Sequence, residues 1–339
     1  MDIHTDIPLK NYTTMRLGGN ARFMVEVHTP EELKTVVKNA LSQNLPIFVL
    51  GEGSNTIVRD EGFAGLVIRN KIMGFDVVSD HDGRIIIQLG AGENWDAAVA
   101  RSVAMNLSGI EAMSAIPGTC GAAPVQNVGA YGQETADTLV SLEAYDTQND
   151  TIVTLQNADC EFSYRNSIFR SSQKGRYIIT SITLELYKTP PLPPFYAALQ
   201  TYFENNGITI FTPQVIRDAV IAIRSEKLPD PTKTPNTGSF FKNSIVDAWL
   251  LPEIQKDYPD VPFYKMPDKQ FKIPTGWLIE QTGLKGKILH GMRIHDKNAL
   301  VLINESAQSY EDLSQARHEI MTAVQNKFRI TIEQEPLEI

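Results

Sequence analysis

A glycine-rich but apolar segment, residues 109–132, constrains the fold of this chain more than any other stretch. It reads GIEAMSAIPGTCGAAPVQNVGAYG, with five glycines, two prolines and no Lys or Arg. Glycine lets another group approach the main chain closely, and proline stiffens such a loop. Because Ile116, Val125 and Val128 lie in the segment, we expect it to pack inside the protein. Buried irregular backbone needs hydrogen-bond partners, so the segment is either a buried connection between two sheets or a loop that binds a large, polar, planar ligand.

Length and charge narrow the class of protein. A chain of 339 residues is long enough for two or three domains. Its net charge of −9 and pI near 5.3 argue against a general nucleic-acid-binding surface. No run approaches the roughly 18 apolar residues of a transmembrane helix, and residues 1–14 lack the apolar core of a signal peptide. We therefore expect a cytoplasmic protein with no nucleic-acid or membrane partner.

Two helices carry clear start signals. Thr29, followed by proline and by Glu32, predicts the N-terminus of one helix, and Ser309 with Asp312 predicts the start of another that runs over about 310–327. A third helix is predicted to begin after Thr212. The pattern of apolar residues predicts strands at 14–28, 46–50, 65–69, 84–89, 140–145, 151–155, 178–186, 299–303 and 330–333. The run TPPLPP at 189–194 is the clearest break in composition, and we place a domain boundary near Ser225.

Two short loops resemble phosphate-binding loops. Residues 51–56 read GEGSNT after a predicted strand, and residues 90–95 read GAGENW. Small residues expose backbone N–H groups that can bind phosphate. Neither loop matches the GxGxxG fingerprint of dinucleotide-binding folds, so a plain turn is the alternative for each.

A few side chains are candidates for chemistry. Ser239 follows a glycine and precedes two phenylalanines, so it is either a pinned reactive serine, whose alkoxide Lys227 and Lys242 could stabilise, or a turn serine. Arg165 lies in a short predicted turn, where it would bind a carboxylate or pair with a nearby Glu. The six histidines lack zinc-site spacing and the two cysteines, Cys120 and Cys160, lack CxxC spacing, so we expect no metal and two reduced, buried thiols.

Ten motifs, taken together, resemble the UDP-N-acetylenolpyruvoylglucosamine reductase family. In chain order they are RLGGNA, VLGEGSN, GAGENW, AIPGTCGAAPVQNVGAYG, YRNSIF, KLPDP, NTGSFFKN, GWLIEQTGLKG, ALVLINE and a terminal EQE. The resemblance runs from about Pro8 to Glu335. The IPG…QNVGAYG and GSFFKN motifs are specific, and the order of all ten is stronger than any single glycine loop.

The resemblance implies an α+β protein with a vanillyl-alcohol-oxidase-type FAD-binding region and a C-terminal α+β substrate-binding domain. The implied division is residues 1–70 and 71–225 as two FAD-binding subdomains, 226–328 as the substrate-binding domain, and 329–339 as a C-terminal tail. FAD is expected to be non-covalent, since no His lies between His81 and His290. The residues implied to bind it are Gly51, Glu52, Gly53, Ser54, Asn55, Thr56, Ser114, Ile116, Pro117, Gly118, Gly121, Asn127, Gly129, Tyr131, Gly132 and Arg224.

The resemblance also implies the reaction, in which NADPH reduces FAD and UDP-N-acetylglucosamine enolpyruvate then accepts the hydride at C3. Charge builds up on the substrate carboxylate and needs fixed positive charge and hydrogen-bond donors. By resemblance, Arg165 and Glu335 stabilise that charge, and Ser239 protonates C2. The residues implied to contact the substrate are Tyr164, Tyr196, Lys227, Asn243, Tyr264, Lys272 and Lys285. The segment around Tyr196 resembles the type I form of the family.

Small departures from the family pattern concern Cys120, the pair Ala122–Ala123 and Ser244, and none removes a functional group. Two alternatives stay open from the sequence. One is a different FAD-dependent oxidase or dehydrogenase on the same scaffold, and the other is a non-catalytic sugar-nucleotide-binding protein. We expect a monomer that acts on small molecules only.

Overall fold

The computed structural model of the protein describes residues 1–266 and 269–339. The chain forms two compact units, each built from separate stretches of sequence. Unit 1 comprises Met1–Ile7, Ala21–Glu52 and Phe63–Glu226, and unit 2 comprises Pro8–Asn20, Gly53–Gly62 and Lys227–Ile339.

Strands and helices are mixed along the whole chain. The strands are β1 (His4–Pro8), β2 (Asn20–Val27), β3 (Ile47–Leu50), β4 (Thr56–Ile57), β5 (Phe63–Asn70), β6 (Phe75–His81), β7 (Arg84–Gly90), β8 (Gly129–Ala130), β9 (Gln133–Glu134), β10 (Leu139–Asp146), β11 (Thr151–Gln156), β12 (Tyr177–Tyr187), β13 (Asn236–Ser239), β14 (Ser244–Val246), β15 (Tyr264–Lys265), β16 (Phe271–Ile273), β17 (Ile288–Leu289), β18 (Met292–Ile294), β19 (Val301–Asn304) and β20 (Leu337–Glu338). The α-helices are α1 (Pro30–Ser42), α2 (Trp95–Ala104), α3 (Thr135–Thr138), α4 (Ala197–Asn205), α5 (Pro213–Lys227), α6 (Leu250–Asp257), α7 (Thr275–Gln281) and α8 (Tyr310–Phe328).

The first sheet of unit 1 has the order β1-β2-β5-β3, and β5 is parallel to both β2 and β3. The predicted start of α1 is confirmed, because the Thr29 hydroxyl accepts a hydrogen bond from the backbone N–H of Glu32. The buried face of α1 packs with the apolar side chains of β2 and β5 in one core. Helix α1 therefore covers a largely parallel sheet, and the loop after β3 leads out of it.

The second sheet of unit 1 is antiparallel, with the order β11-β10-β12-β7-β6. Residues 109–132 pack into its core with α2, as the sequence predicts. Ile110, Met113 and Cys120 are fully buried, and Ile116 and Val125 pack against the same core. Helices α4 and α5 form a separate apolar cluster around Phe203 and Val220.

Unit 2 holds a sheet of order β13-β19-β18-β17, a smaller sheet of order β14-β16-β15, and the parallel pair β20-β4. Its core combines α7 and α8 with the phenylalanine pair 240–241 and with Met15, Leu17 and Ile57 from the first part of the chain. Helix α8 begins at a complete capping box formed by Ser309 and Asp312, as predicted.

Some local predictions are wrong. Residues 330–333 are not a strand; the strand of the tail is β20. The strand predicted over 14–28 begins only at Asn20. By contrast, the apolar alternation of Ile182, Leu184 and Leu186 that predicts β12 is confirmed, because these three side chains are buried and the residues between them are half-buried. None of the helices in the described residues is long and apolar enough to cross a membrane.

Candidate active site

In unit 1, the Glu52 carboxylate joins three of the motif loops. One oxygen accepts a hydrogen bond from Asn94 Nδ2 at 2.7 Å, and the other accepts one from the Gly118 N–H at 3.0 Å. Gly51 lies against Thr119, where an added Cβ would be 2.9 Å from the hydroxyl. The pair Gly51–Glu52 and the segments GENW and IPGT therefore form one local cluster within unit 1, as expected if they bind the same ligand.

A second carboxylate shapes the loop that follows Ser114. Asp96 accepts hydrogen bonds from Arg217 at 2.6 and 3.0 Å and from the Ala115 N–H at 2.6 Å. Arg217 also donates to the buried hydroxyl of Ser114 at 2.9 Å. Burial by itself would raise the pKa of Asp96, but the hydrogen bonds from Arg217 and Ala115 hold that pKa below its usual value. Ala115 has a φ of +57°, so the loop is held in a conformation that alanine rarely adopts.

Arg224 is half-buried and makes no hydrogen bond among the residues that the structure describes. Burial lowers the pKa of its guanidinium, and Tyr131 and Asp96 partly offset that effect. Burial likewise raises the pKa of Tyr131. The ring of Tyr131 meets that of Tyr196 edge to face, with 5.9 Å between centroids. Two predicted cofactor residues and one predicted substrate residue thus lie together in unit 1.

Arg165 binds the backbone of the QNVGAYG loop. Its Nη2 donates to the carbonyl of Gly129 at 2.7 Å, and its Nη1 lies 3.4 Å from the carbonyl of Asn127. Asn127 is fully buried, and its side-chain amide donates to the carbonyl of Ser163 at 3.4 Å. The guanidinium also lies 5.3 Å from the ring centre of Tyr164. The structure therefore brings Arg165 onto the loop that the resemblance assigns to the cofactor, and Tyr164 lies beside its guanidinium.

The remaining predicted cofactor residues of unit 1 differ in exposure. Ile116 packs against the core, whereas Pro117 and Gly132 are exposed. Gly121 lies so close to Ala91 that an added Cβ would be 2.5 Å from the alanine Cβ.

In unit 2, residues 53–56 form a tight turn that leads into β4. Gly53 has a φ of +66°, and an added Cβ would lie 2.0 Å from the Tyr12 carbonyl oxygen. Only glycine fits there, because any side chain would collide with the backbone of Tyr12 and Thr13, against which the buried Gly53 packs. Ser54 and Asn55 are half-buried, and Thr56 is buried at the start of β4.

Ser239 and Glu335 come together in unit 2 although they are far apart in sequence. Ser239 ends β13 opposite Val301, directly after Gly238 at φ +70°. The backbone N–H of Glu335 donates to the carbonyl of Phe240, the residue next to Ser239, at 2.8 Å. An isolated bridge between Phe241 and Gln334 continues this pairing.

The predicted substrate residues of unit 2 occupy four places. Tyr264 and Lys272 face each other across β15 and β16, with the lysine Nζ 5.4 Å from the tyrosine ring centre. The Asn243 side-chain carbonyl accepts a hydrogen bond from the Thr275 N–H at 3.2 Å. Lys285 forms an ion pair with Glu280 at 2.9 Å, and Lys227 is exposed at the end of α5.

These features fit FAD. The turn at residues 53–56, built from small residues with a glycine at positive φ, suits a diphosphate, which binds main-chain N–H groups. A half-buried guanidinium with no hydrogen bond in the described structure suits a group with carbonyl or anionic oxygens, because a desolvated cation needs such a partner. Clusters of three or more His, Cys, Asp or Glu that could hold a metal are absent from residues 1–266 and 269–339.

Comparison with known proteins agrees with this assignment. A family model described as FAD binding domain matches residues 21–156, and one described as the C-terminal domain of UDP-N-acetylenolpyruvoylglucosamine reductase matches residues 230–339. The fold and these matches place the chain among FAD-binding proteins.

Full-length relatives give the family. The UDP-N-acetylenolpyruvoylglucosamine reductase of Flavobacterium johnsoniae is 38% identical over 336 residues, covering 99% of both chains. That of Ralstonia nicotianae is 40% identical over 335 residues, covering 98% of both. The chain belongs to the UDP-N-acetylenolpyruvoylglucosamine reductase family. The crystal structure of the Thermus caldophilus reductase, with 24% identity, a TM-score of 0.70 and coverage of 100% of this chain and 99% of its own, has the same fold. The predicted family and α+β fold class are confirmed.

Proposed function

We propose that this protein reduces UDP-N-acetylglucosamine enolpyruvate to UDP-N-acetylmuramate with NADPH, as a step in the synthesis of peptidoglycan precursors. The observation that carries the proposal is full-length similarity, at about two residues in five, to relatives named for this reductase activity. When bound, FAD supplies the hydride carrier between NADPH and C3 of the enolpyruvyl group.

After hydride transfer to C3, side chains of the site must stabilise a carbanion-like charge at C2 of the substrate until C2 is protonated. We assign the binding of the substrate carboxylate to Arg165, since a fixed guanidinium favours the charge that builds up on it. The carbonyls of Gly129 and Asn127 orient that guanidinium. An arginine already held in place loses little further freedom when the substrate binds.

We assign the proton for C2 to Ser239. A serine hydroxyl is a weak acid, so the alkoxide that it leaves needs donors nearby. Asn243 uses its side-chain carbonyl on Thr275, which leaves its NH₂ group to donate. We assign that support to Asn243 and Lys227. Glu335, placed beside Ser239 by the bond to Phe240, stabilises the charge at the enolpyruvyl group.

The binding roles follow the same division. For FAD we propose the residues predicted from the sequence, with the 51–56 turn on the diphosphate and Arg224 on an oxygen of the cofactor. For the uridine diphosphate we propose Tyr264, Lys272 and Lys285, and for closure over the nucleotide Tyr196. The domain division at 70, 225 and 328 also stays a proposal, which the family-model match from residue 230 onward supports. We further propose a cytoplasmic monomer, to be checked by size-exclusion chromatography with light scattering.

The decisive experiment follows the flavin spectrum without oxygen. NADPH should bleach the oxidised flavin band, and UDP-N-acetylglucosamine enolpyruvate should restore it. A flavin that is reduced but stays reduced until air enters would refute the substrate assignment.

The Ser239→Ala variant tests the proton donor. Reduction by NADPH should keep its wild-type rate, whereas reoxidation by the enolpyruvyl substrate should slow at least about 100-fold, as expected when a general acid is removed. Ser42→Ala, which changes an exposed serine at the end of α1, is the control. Equal losses in both half-reactions would exclude Ser239 as the proton donor.

A further inference from the structure

The segment that carries Glu335 is bonded along its length to the turn proposed to bind the FAD diphosphate. The Leu337 N–H donates to the carbonyl of Asn55 at 2.9 Å, and the Ile339 N–H donates to that of Ile57 at 3.0 Å. These bonds form the parallel pair β20-β4 within unit 2. The position of Glu335 therefore depends on how firmly residues 334–339 are held.

Three charged side chains hold this segment, and we call Arg59, Arg317 and Glu338 the tail clamp. Glu338 accepts two hydrogen bonds from Arg59 on one oxygen, at 2.6 and 2.8 Å, and one from Arg317 on the other at 2.7 Å. Only 16% of the Glu338 side chain and 19% of the Arg317 side chain is exposed, so solvent screens this pair poorly. Burial alone would raise the pKa of Glu338, but the two arginines lower it to about 2.

Arg317 extends the clamp to the residue directly before Glu335. Its Nη1 also donates to the side-chain oxygen of Gln334 at 2.5 Å, and the Gln334 amide donates to the carbonyl of Pro336 at 3.1 Å. The residues on both sides of Glu335 are thus fixed through one guanidinium. Arg317 is itself oriented from α8, because its Nη2 donates to Tyr310 and Ser314.

We infer that Glu338 is a positioning residue for Glu335: with Arg59 and Arg317 it fixes the tail so that Glu335 stays beside Ser239. This inference rests on the proposed function, because it assigns Glu338 to the step in which Glu335 acts. Small displacements of a positioned group cost large factors in rate, up to about 100-fold for a shift near 1 Å.

The test is Glu338→Gln, which keeps the shape of the side chain. Arg59 and Arg317 bind different oxygens of Glu338, and Gln replaces one of these oxygens with an NH₂ donor, so one of the two arginines loses its partner. We expect reoxidation by UDP-N-acetylglucosamine enolpyruvate to slow by about 10- to 100-fold, and reduction by NADPH to change less than about twofold. Glu305→Gln is the matched control, since Glu305 forms a similar two-bond pair with Arg293 in unit 2 away from the tail.

A second readout does not depend on turnover. In Glu338→Gln, the amides of Leu337 and Ile339 should exchange with deuterium about tenfold faster, while those of β19 keep their protection. The Arg317→Lys variant keeps the positive charge but loses the guanidinium that donates to several partners at once, so it should behave in the same way. It replaces Glu338→Gln as the test if that variant folds poorly.

The outcomes separate the two claims. If the wild-type flavin is not reoxidised by the enolpyruvyl substrate, the proposed function fails and this inference fails with it. If the wild type is active and Glu338→Gln is unchanged, or slows both half-reactions to the same extent as Glu305→Gln, the inference alone is overturned.

Discussion

The hydrogen bonds of Asp96 allow a quantitative prediction of how a local interaction affects the affinity for FAD. Its carboxylate holds both Arg217 and the N–H of Ala115, and so fixes the loop that begins at Ser114. We predict that Asp96→Asn binds FAD about 30-fold more weakly, by a free-energy difference of about 2 kcal/mol.

The magnitude follows from the contacts. Hydrogen bonds to a charged group contribute about 1.5–3 kcal/mol, and 34% of the Asp96 side chain is exposed, which favours the lower end. Ala115 at φ +57° costs about 1 kcal/mol that its bond to Asp96 helps to offset. Asparagine keeps one acceptor oxygen and therefore part of this stabilisation. FAD binds only the ordered loop. In the variant, part of the binding free energy is used to order the loop, and the affinity for FAD falls accordingly.

The assay is a fluorescence titration of flavin-free protein with FAD. Asp159→Asn is the control, because Asp159 also accepts a backbone N–H in unit 1, in the short helix of residues 157–160. Ala115→Gly should bind FAD at least as tightly as the wild type, since glycine adopts a positive φ freely. A folded Asp96→Asn protein with wild-type affinity would refute the reasoning.

Three further predictions concern stability and reactivity. Gly53→Ala should lose more than about 1 kcal/mol in urea-induced unfolding, because the new Cβ would meet the Tyr12 carbonyl at positive φ; an unchanged midpoint would contradict this. Arg176 holds the pKa of buried Asp146 far below its usual value, and a lowered pKa stabilises the fold above the unfolded-state pKa near 3.9. Asp146→Asn should therefore lower the free energy of unfolding by about 3 kcal/mol near pH 7. The difference from the wild type should shrink as the pH falls below about 4. An equal difference at both pH values would exclude the ion pair as its source. Burial raises the pKa of Cys160 to about 12, so iodoacetamide should label it only after unfolding, as mass spectrometry would show.

The elements that the sequence predicts well are those with local signals. Helices α1 and α8 begin where a capping residue and an acidic residue three positions later indicate, and these contacts form within one turn. The β10–β11 hairpin is also local, and both of its strands lie where the apolar pattern predicts strands at 140–145 and 151–155. Ser239 and Arg165 stand out as candidates because each lies in a distinctive short motif.

What the sequence misses depends on contacts between distant segments. Asp96 and Arg217 are 121 positions apart, and nothing near either residue indicates their pairing. Arg217 lies two turns before Arg224 on α5, and this spacing indicates only that both residues share one face of the helix. The apolar pattern predicts a strand at 330–333, but the strand of the tail is β20, because its position is set by pairing with β4, which no local pattern reveals.

Unit 2 is assembled from three separate segments of the chain, and this has a consequence for folding during translation. Its segments 8–20 and 53–62 leave the ribosome early, but Lys227 follows Gly62 by 165 positions (227 minus 62). At roughly 5–20 residues per second, this interval lasts about 8–33 s. Until then Met15, Leu17 and Ile57 lack the core in which they are buried, so the nascent chain presents apolar surface that a holding chaperone would bind. The turn at Gly53 is thus among the first parts to be translated and among the last to be completed.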